Sequence, residues 1–347
     1  MNRARWIAAL VVSALLAWNS GTAQGHDGHR HWWLGSHDEN AHTPTAGEEP
    51  LKDAPDAGDL PPAPPLFDGD LPLAIEAVPE GLASISAQSC NACHFQAHDD
   101  WADSAHANTP RSEHWKEAME RAGQSTACSA CHLPLVAQHD RLAAGYLDGD
   151  LSRPDFRDNP TWDPTLATEG VTCAACHVRE GTIIGSNSGT DAPHPVTVST
   201  ELGSSEACAA CHQLSWPGGE EPFYDTYGEW ASSAYADAGV RCQDCHMPLQ
   251  GGLATATRYQ AQPSHGWNSS TARALTVQLE LSEASIQRGQ PLEVGLTVVN
   301  TGAGHAVPTG SPYKAYELRV VLVDAFDEPL TAPLTHRMAR EVEDAPP

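Results

Sequence analysis

All ten cysteines of this 347-residue chain fall within five copies of one pentapeptide. The copies read Cys90-Asn-Ala-Cys93-His94, Cys128-Ser-Ala-Cys131-His132, Cys173-Ala-Ala-Cys176-His177, Cys208-Ala-Ala-Cys211-His212 and Cys242-Gln-Asp-Cys245-His246. Two thiols at this spacing can each bond one vinyl group of a single porphyrin, and the histidine beside the second is then held under the iron as its proximal ligand. Structural zinc sites of the four-cysteine kind use CxxC units in pairs. Five units leave one over, and zinc gives no reason for a histidine after every second cysteine. Thioredoxin-like chemistry calls for a βαβ setting, and none surrounds any copy. The pattern implies five covalently bound haem c groups, with iron as the metal, and a function in electron handling.

Arg3 and Arg5 precede an apolar run from Trp6 to Trp18, and Gly21-Thr22-Ala23 supplies small residues for cleavage before Gln24. Residues 1–23 read as a secretory signal peptide, too short and wrongly flanked for a membrane anchor. No cysteine follows the run to take a lipid, and no later segment reaches the ~18 apolar residues of a transmembrane helix. Covalent haem attachment takes place outside the cytoplasm, so leader and motifs agree on a periplasmic or extracellular protein without membrane insertion. The net charge is −26, with Lys52, Lys116 and Lys314 the only lysines. Nucleic acid is disfavoured by that sign. The acidic surface keeps the chain soluble and steers it toward redox partners with basic docking faces.

Residues 24–83 read as a tail. His26, His29, His31, His37 and His42 cluster there ahead of Pro61-Pro62-Ala63-Pro64-Pro65, and such a segment buries too little apolar surface to offset its ordering entropy. The cluster reads as a solvated linker, with a transition-metal site and a ligand to a neighbouring subunit's haem as the alternatives. Residues 84–271 hold the motifs, whose spacing is uneven, so the region is not a solenoid. Trp101-Ala-Asp-Ser104-Ala-His106-Ala is echoed by Trp230-Ala-Ser-Ser233-Ala-Tyr235-Ala. Helices are expected over Asp99–Ala107, Tyr227–Ala238 and Ser112–Ala122, the last with Ser112 as N-cap and Gly123 as stop. The rest reads as Gly/Pro-rich loop. A region this short cannot hold five porphyrins around an ordinary side-chain core, so the expected fold is mostly α and irregular, with the haems themselves as the core and the apoprotein unfolded.

From residue 272 to 347 the period changes to two. Leu275, Val277, Leu279 and Leu281 alternate with polar residues, as do Leu292, Val294, Leu296 and Val298, and then Tyr316, Leu318, Val320 and Leu322. Arg288-Gly289-Gln290-Pro291 marks a turn. The expectation is a C-terminal antiparallel β-sandwich, immunoglobulin-like but incomplete, since that fold needs about seven strands and three are legible. It is either cut short or completed by a partner.

The group on the far side of each iron decides between electron transfer and open-site chemistry. Outside motifs and tail stand His98, His106, His114, His139, His194, His265, His305 and His336. The expected distal ligands are His106, His139, His194, His265 and His305, which with His94, His132, His177, His212 and His246 would give each iron two histidines. His106 follows Trp101 and Ser104 on a helix. His194 is stiffened between Pro193 and Pro195, His265 sits at the junction of the two regions, and His305 lies in the glycine-rich loop from Gly302 to Gly310. His139 is chosen by position alone. Tyr235, in the place His106 holds in the first repeat, is expected to pack, and Met247 is too near His246 to reach the opposite face of the same iron.

On Trp101-x-x-Ser104-x-His106, on Tyr227-Gly-Glu-Trp230 running into Cys242-Gln-Asp-Cys245-His246-Met247-Pro248, and on Gly304-His305-Ala-Val-Pro308-Thr309-Gly310, residues 84–325 resemble the multihaem c-type cytochromes related to the tetrahaem cytochromes of nitrifying bacteria and to the hydroxylamine-oxidoreductase-like superfamily. The resemblance implies haems stacked in close pairs as an electron wire, mostly with two histidines per iron. The chain lacks the CxxCK site of ammonia-forming nitrite reductases and carries far fewer haem motifs than hydroxylamine oxidoreductase. It is therefore expected to be an electron carrier rather than a catalyst, and no catalytic residue is assigned. Two alternatives stay open: an oxidoreductase with one open haem acting on a small nitrogen or sulfur compound, and a subunit of a filament or other oligomer.

Overall fold

The structure, a computed structural model, describes residues 9–15, 65–67, 71–121, 126–149, 153–186, 192–216, 221–255, 257–267, 271–287, 289–324 and 326–340. Most of the expected leader, and residues 24–64 of the expected tail with its five histidines, lie outside the described residues; residues 65–67 and 71–83, expected as part of that tail, are packed instead, with Leu66 fully buried and Leu73 in the core beside Leu135.

Short helices joined by small sheets make up the fold. Helix α1 (Ala87–Asn91) carries Cys90, and Cys93 and His94 follow in the turn that opens α2 (Phe95–Ala102). Ser104 then caps α3 (Ala105–Asn108) by accepting from the Ala107 N–H. The continuous helix expected over Asp99–Ala107 is thus two helices, because the serine commits its hydroxyl to the backbone and starts a new one. α4 (Glu113–Arg121) follows Ser112, whose hydroxyl accepts from Trp115 N at 3.3 Å. α5 (Thr126–His132), α6 (Cys173–His177) and α7 (Glu206–His212) each contain a whole motif. α8 (Thr226–Ala231) and α9 (Ala234–Asp237) divide the second expected helix at Ser233, as Ser104 divides the first. α10 (Cys242–His246) is the fifth motif, and α11 (Thr271–Ala274) leads into the last region. One helical turn is what the pentapeptide needs, since residues three apart share a face.

Strand β1 (Ala9–Leu15) comes from the apolar run between Trp6 and Trp18. Within 84–271, where loops were expected, hairpins form instead: β2 (Arg141–Tyr146) with β3 (Pro154–Asp158), and later strands of two to seven residues. β4 (Val178–Arg179) pairs antiparallel with β5 (Thr182–Gly185), which pairs parallel with β6 (Val196–Val198). β7 (Leu214–Ser215) meets β8 (Pro222–Tyr224), and β9 (Leu249–Thr255) meets β10 (Arg258–Pro263). In the last region β11 (Leu275–Leu281) and β12 (Val294–Asn300) pair antiparallel from Leu275↔Asn300 to Leu281↔Val294. β13 (Ala315–Val323) lies between β14 (Leu334–Ala339) and β1, the latter in register from Leu15↔Glu317 to Ala9↔Val323. The three alternating runs are β11, β12 and β13; β14 has no comparable alternation.

The apolar core is small and gathers behind two of the motifs. Ala174 and Ala175, between the thiols of α6, are 1% exposed and pack with Leu73, Leu135 and Val178. Ala87 of α1 packs with Trp101 and Ala107. Alanine at these places lets a one-turn helix lie flush on its neighbours, and Cys173 of α6 packs against the second of these clusters.

Candidate functional site

Long-range polar clamps tie α1 to α6 and α10 to α7. The buried Glu169 carboxylate accepts from Ser86 Oγ at 2.5 Å, Ala87 N at 3.0 Å and Thr172 Oγ1 at 2.6 Å, tying the start of α1 to the residue before α6. Buried Arg179 donates to the carbonyls of Ala175 (2.7 Å), Val178 (2.6 Å) and Leu66, closing the C-terminal end of α6 where free carbonyls favour a cation. Cys242 N donates to Ser205 Oγ at 3.1 Å and Arg241 Nη1 to Gly203 O at 2.9 Å, which docks α10 on the start of α7. The two tryptophans of the internal repeat do the same work twice. Trp101 Nε1 donates to Val171 O at 2.8 Å, and Trp230 Nε1 to Val240 O at 2.9 Å. Each carbonyl belongs to the residue two before an attachment cysteine.

Thiols of different motifs stand close to one another: Cys90 beside Cys173, Cys131 beside Cys211, and Cys208 beside Cys242. Cys176 lies near enough to act electrostatically on Cys208 and Cys211. The first motif therefore adjoins the third, the third the fourth, and the fourth also the second and the fifth. In each touching pair one thiol is driven toward the thiolate. Cys242 is lowered to about 6, chiefly by the hydrogen bond from Cys208, whose own pKa that bond and burial raise.

The histidines form a second set of contacts. A metal–imidazole bond is about 2 Å and the ligating nitrogen lies about 1 Å from the ring centre, so two imidazoles on opposite sides of one iron have centroids about 6 Å apart. Three predicted distal histidines stand at that separation from a motif histidine. His106 lies 6.3 Å from His212, His265 6.2 Å from His177, and His305 6.1 Å from His246. Ring nitrogens of several of these histidines bond a carbonyl through Nδ1, whereas Nδ1 of His106 is buried without a hydrogen-bond partner. Nδ1 of His177 bonds Ile184 O at 2.8 Å, that of His265 Pro263 O at 3.0 Å, that of His305 Ala306 O at 2.9 Å, and that of the motif residue His94 Ala254 O at 2.7 Å. A carbonyl fixes the proton on Nδ1 and leaves Nε2 with its lone pair, as in histidines that bind metals. Burial lowers His106, His132 and His265 to about 4, with neighbouring imidazoles adding to it, and this keeps them in the neutral form that ligates.

The other two expected ligands are placed differently. His139 turns Nε2 onto Leu133 O at 2.7 Å, the reverse of the pattern above. His194 precedes β6 with Nδ1 buried and without a hydrogen-bond partner. Among the described residues neither ring pairs with a motif histidine. His132 stacks on Trp115 at 4.3 Å. One residue the sequence reading passed over is Trp267, which stands edge-on to both His106 (4.5 Å) and His265 (5.5 Å) with a left-handed backbone, φ 43°. Its place two after His265 in Ser-His-Gly-Trp was the available signal.

These residues fit a haem set: paired thiols on one-turn helices, each followed by an imidazole, three of which face a second imidazole at the separation of two ligands across one iron. Among the described residues no group of three or more His, Cys, Asp or Glu forms the cage a bare metal ion needs.

Residues 89–148 match the family model of cytochrome c554 and c-prime. The stretch spans the first two motifs and His106. The match supports a c-type cytochrome with covalently bound haem c, taking part in electron transfer. No curated protein and no solved structure matches the chain significantly. Among the described residues no helix is long and apolar enough to cross a membrane.

Proposed function

We propose that the protein is an exported five-haem c-type cytochrome of the hydroxylamine-oxidoreductase-like kind that passes single electrons between redox partners. Haem iron supplies the redox step, alternating between ferric and ferrous states. The ten cysteines hold the porphyrins, and His94, His132, His177, His212 and His246 are the proximal ligands. His265, His106 and His305 are the distal ligands of the third, fourth and fifth haems. The observation that carries this reading is the trio of imidazole pairs at 6.1–6.3 Å. Two histidines per iron leave no face for substrate, which suits electron transfer. The thiol contacts support an order of neighbours: the haem held by the first motif would adjoin that of the third, the third that of the fourth, and the fourth also those of the second and fifth. Net charge of −26 favours partners that present a basic face.

Mass spectrometry of the purified secreted protein, combined with electron paramagnetic resonance, tests the proposal. The expected result is a polypeptide carrying five haem additions with at least three low-spin signals. A mass lacking five additions would end it. A second reading follows from His94 and His132, which face no second imidazole among the described residues. If one of those irons gives a high-spin signal, that haem has an open face and the oxidoreductase alternative gains ground.

A further inference from the structure

The internal repeat is faithful in its tryptophan and serine but not in its ligand. In the first copy Trp101 pins the approach to a motif, Ser104 opens a new helix, and that helix carries His106 toward His212. In the second copy Trp230 pins the approach to α10, the helix breaks at Ser233, and the corresponding residue is Tyr235. Tyr235 meets no motif histidine among its described contacts. Its hydroxyl donates to Thr301 O at 3.2 Å, and its ring backs Gly304, where an added Cβ would come within 3.1 Å of the tyrosine and 3.3 Å of Trp230. Thr301 and Gly304 belong to the loop after β12 that carries His305.

Glu229, one residue before Trp230, grips the same loop from its other end. One carboxylate oxygen accepts from Ala306 N at 3.1 Å and from Thr309 Oγ1 at 2.6 Å. Thr309 also meets Thr226 at 2.9 Å. Inside the loop Asn300 donates to His305 O at 2.8 Å and accepts from Ala303 N at 3.0 Å. The loop is thus preshaped by its own asparagine and then seated on α8 and α9.

Resting on the reading of His305 as the fifth haem's distal ligand, we infer that Glu229 and Tyr235 are positioning residues, a seat through which the C-terminal β region presents His305 to His246. The second repeat has exchanged a ligand for a socket. The ligand comes from a region some 60 residues further along the chain, so the coordination of one haem reports whether that region is docked.

The test compares His305→Ala, Glu229→Ala, Glu229→Gln and Gly304→Val in the full-length holoprotein by electron paramagnetic resonance. Haem content by mass verifies loading. Glu229→Ala removes the acceptor, and Gly304→Val pushes the loop off Tyr235 and Trp230. Each is expected to turn one haem in five high-spin, as His305→Ala does, with millimolar imidazole restoring the low-spin signal. Glu229→Gln keeps an acceptor oxygen and is expected to stay low-spin. If His305→Ala leaves the spectrum unchanged, the ligand reading fails. If His305→Ala gives one high-spin haem while Glu229→Ala and Gly304→Val stay low-spin, the ligand stands and the seat is overturned. Conversion of several haems together in Glu229→Ala would also overturn it, since that marks general loosening.

Discussion

Glu169→Ala should show how much the contact between the first and third motifs depends on one carboxylate. Glu169 is 6% exposed and satisfies a backbone N–H and two hydroxyls. Ser86 and Thr172 can rotate toward other acceptors, so the Ala87 N–H at the start of α1 suffers most. Leaving a buried donor unpaired costs about 1–3 kcal/mol. Loss of the charge at a helix start costs about 1 kcal/mol, and the lost methylenes about 1 kcal/mol. The expected total is about 4 kcal/mol. With a urea dependence of about 3 kcal/mol per molar, the denaturation midpoint of the ferric holoprotein should fall by about 1.3 M. Glu169→Gln keeps one acceptor and should fall about half as far. Tryptophan fluorescence reports the transition directly, because Trp101 bonds Val171 O two residues after Glu169. A shift under about 0.3 M, worth about 1 kcal/mol, would refute the reasoning, since the clamp would then be redundant.

Trp267→Leu should disturb two haems rather than one, because the indole touches both His106 and His265; a redox titration that moves a single potential, or none, speaks against that shared contact. Arg179→Met should cost about 3 kcal/mol, since it leaves buried carbonyls of α6 and Leu66 without a donor while keeping most of the side-chain volume; an unchanged urea midpoint counts against it. Acid should destabilise the fold in a defined window. His106, His132 and His265 are held at about 4 against an ordinary value of 6.5, so as pH falls the unfolded chain binds protons first. Their stabilising contribution is full above about pH 6.5 and is lost progressively toward pH 4. A urea midpoint that stays flat from pH 7 to about pH 4 contradicts this sign.

What could be read from the chain followed the range of the interaction. The helices of the motifs were not anticipated, since everything outside three expected helices read as loop, whereas β11, β12 and β13 were legible because alternation is local. His106, His265 and His305 were singled out by their settings, a Trp-x-x-Ser lead, a junction and a glycine loop, and each stands near a motif histidine. His139 had no such setting. The hairpins β2–β3 and β9–β10 escaped because Pro154, Gly251 and Gly252 read as loop, and only contacts with distant elements make them strands. Gln96 Oε1 accepts from Leu253 N at 2.8 Å across 157 residues. The clamps of Glu169 and Arg179 likewise reach 82 and 113 residues along the chain. No period or motif records such partners.

The thiol contacts bear on how such a molecule meets an oxidant. A thiolate resting against a thiol is what an oxidant converts to a disulfide. One bridge between Cys90 and Cys173, or between Cys208 and Cys242, would disable two porphyrin anchors at once. Oxidation of one such pair in the folded chain would therefore cost two motifs at once, and a reducing agent would be needed to restore them.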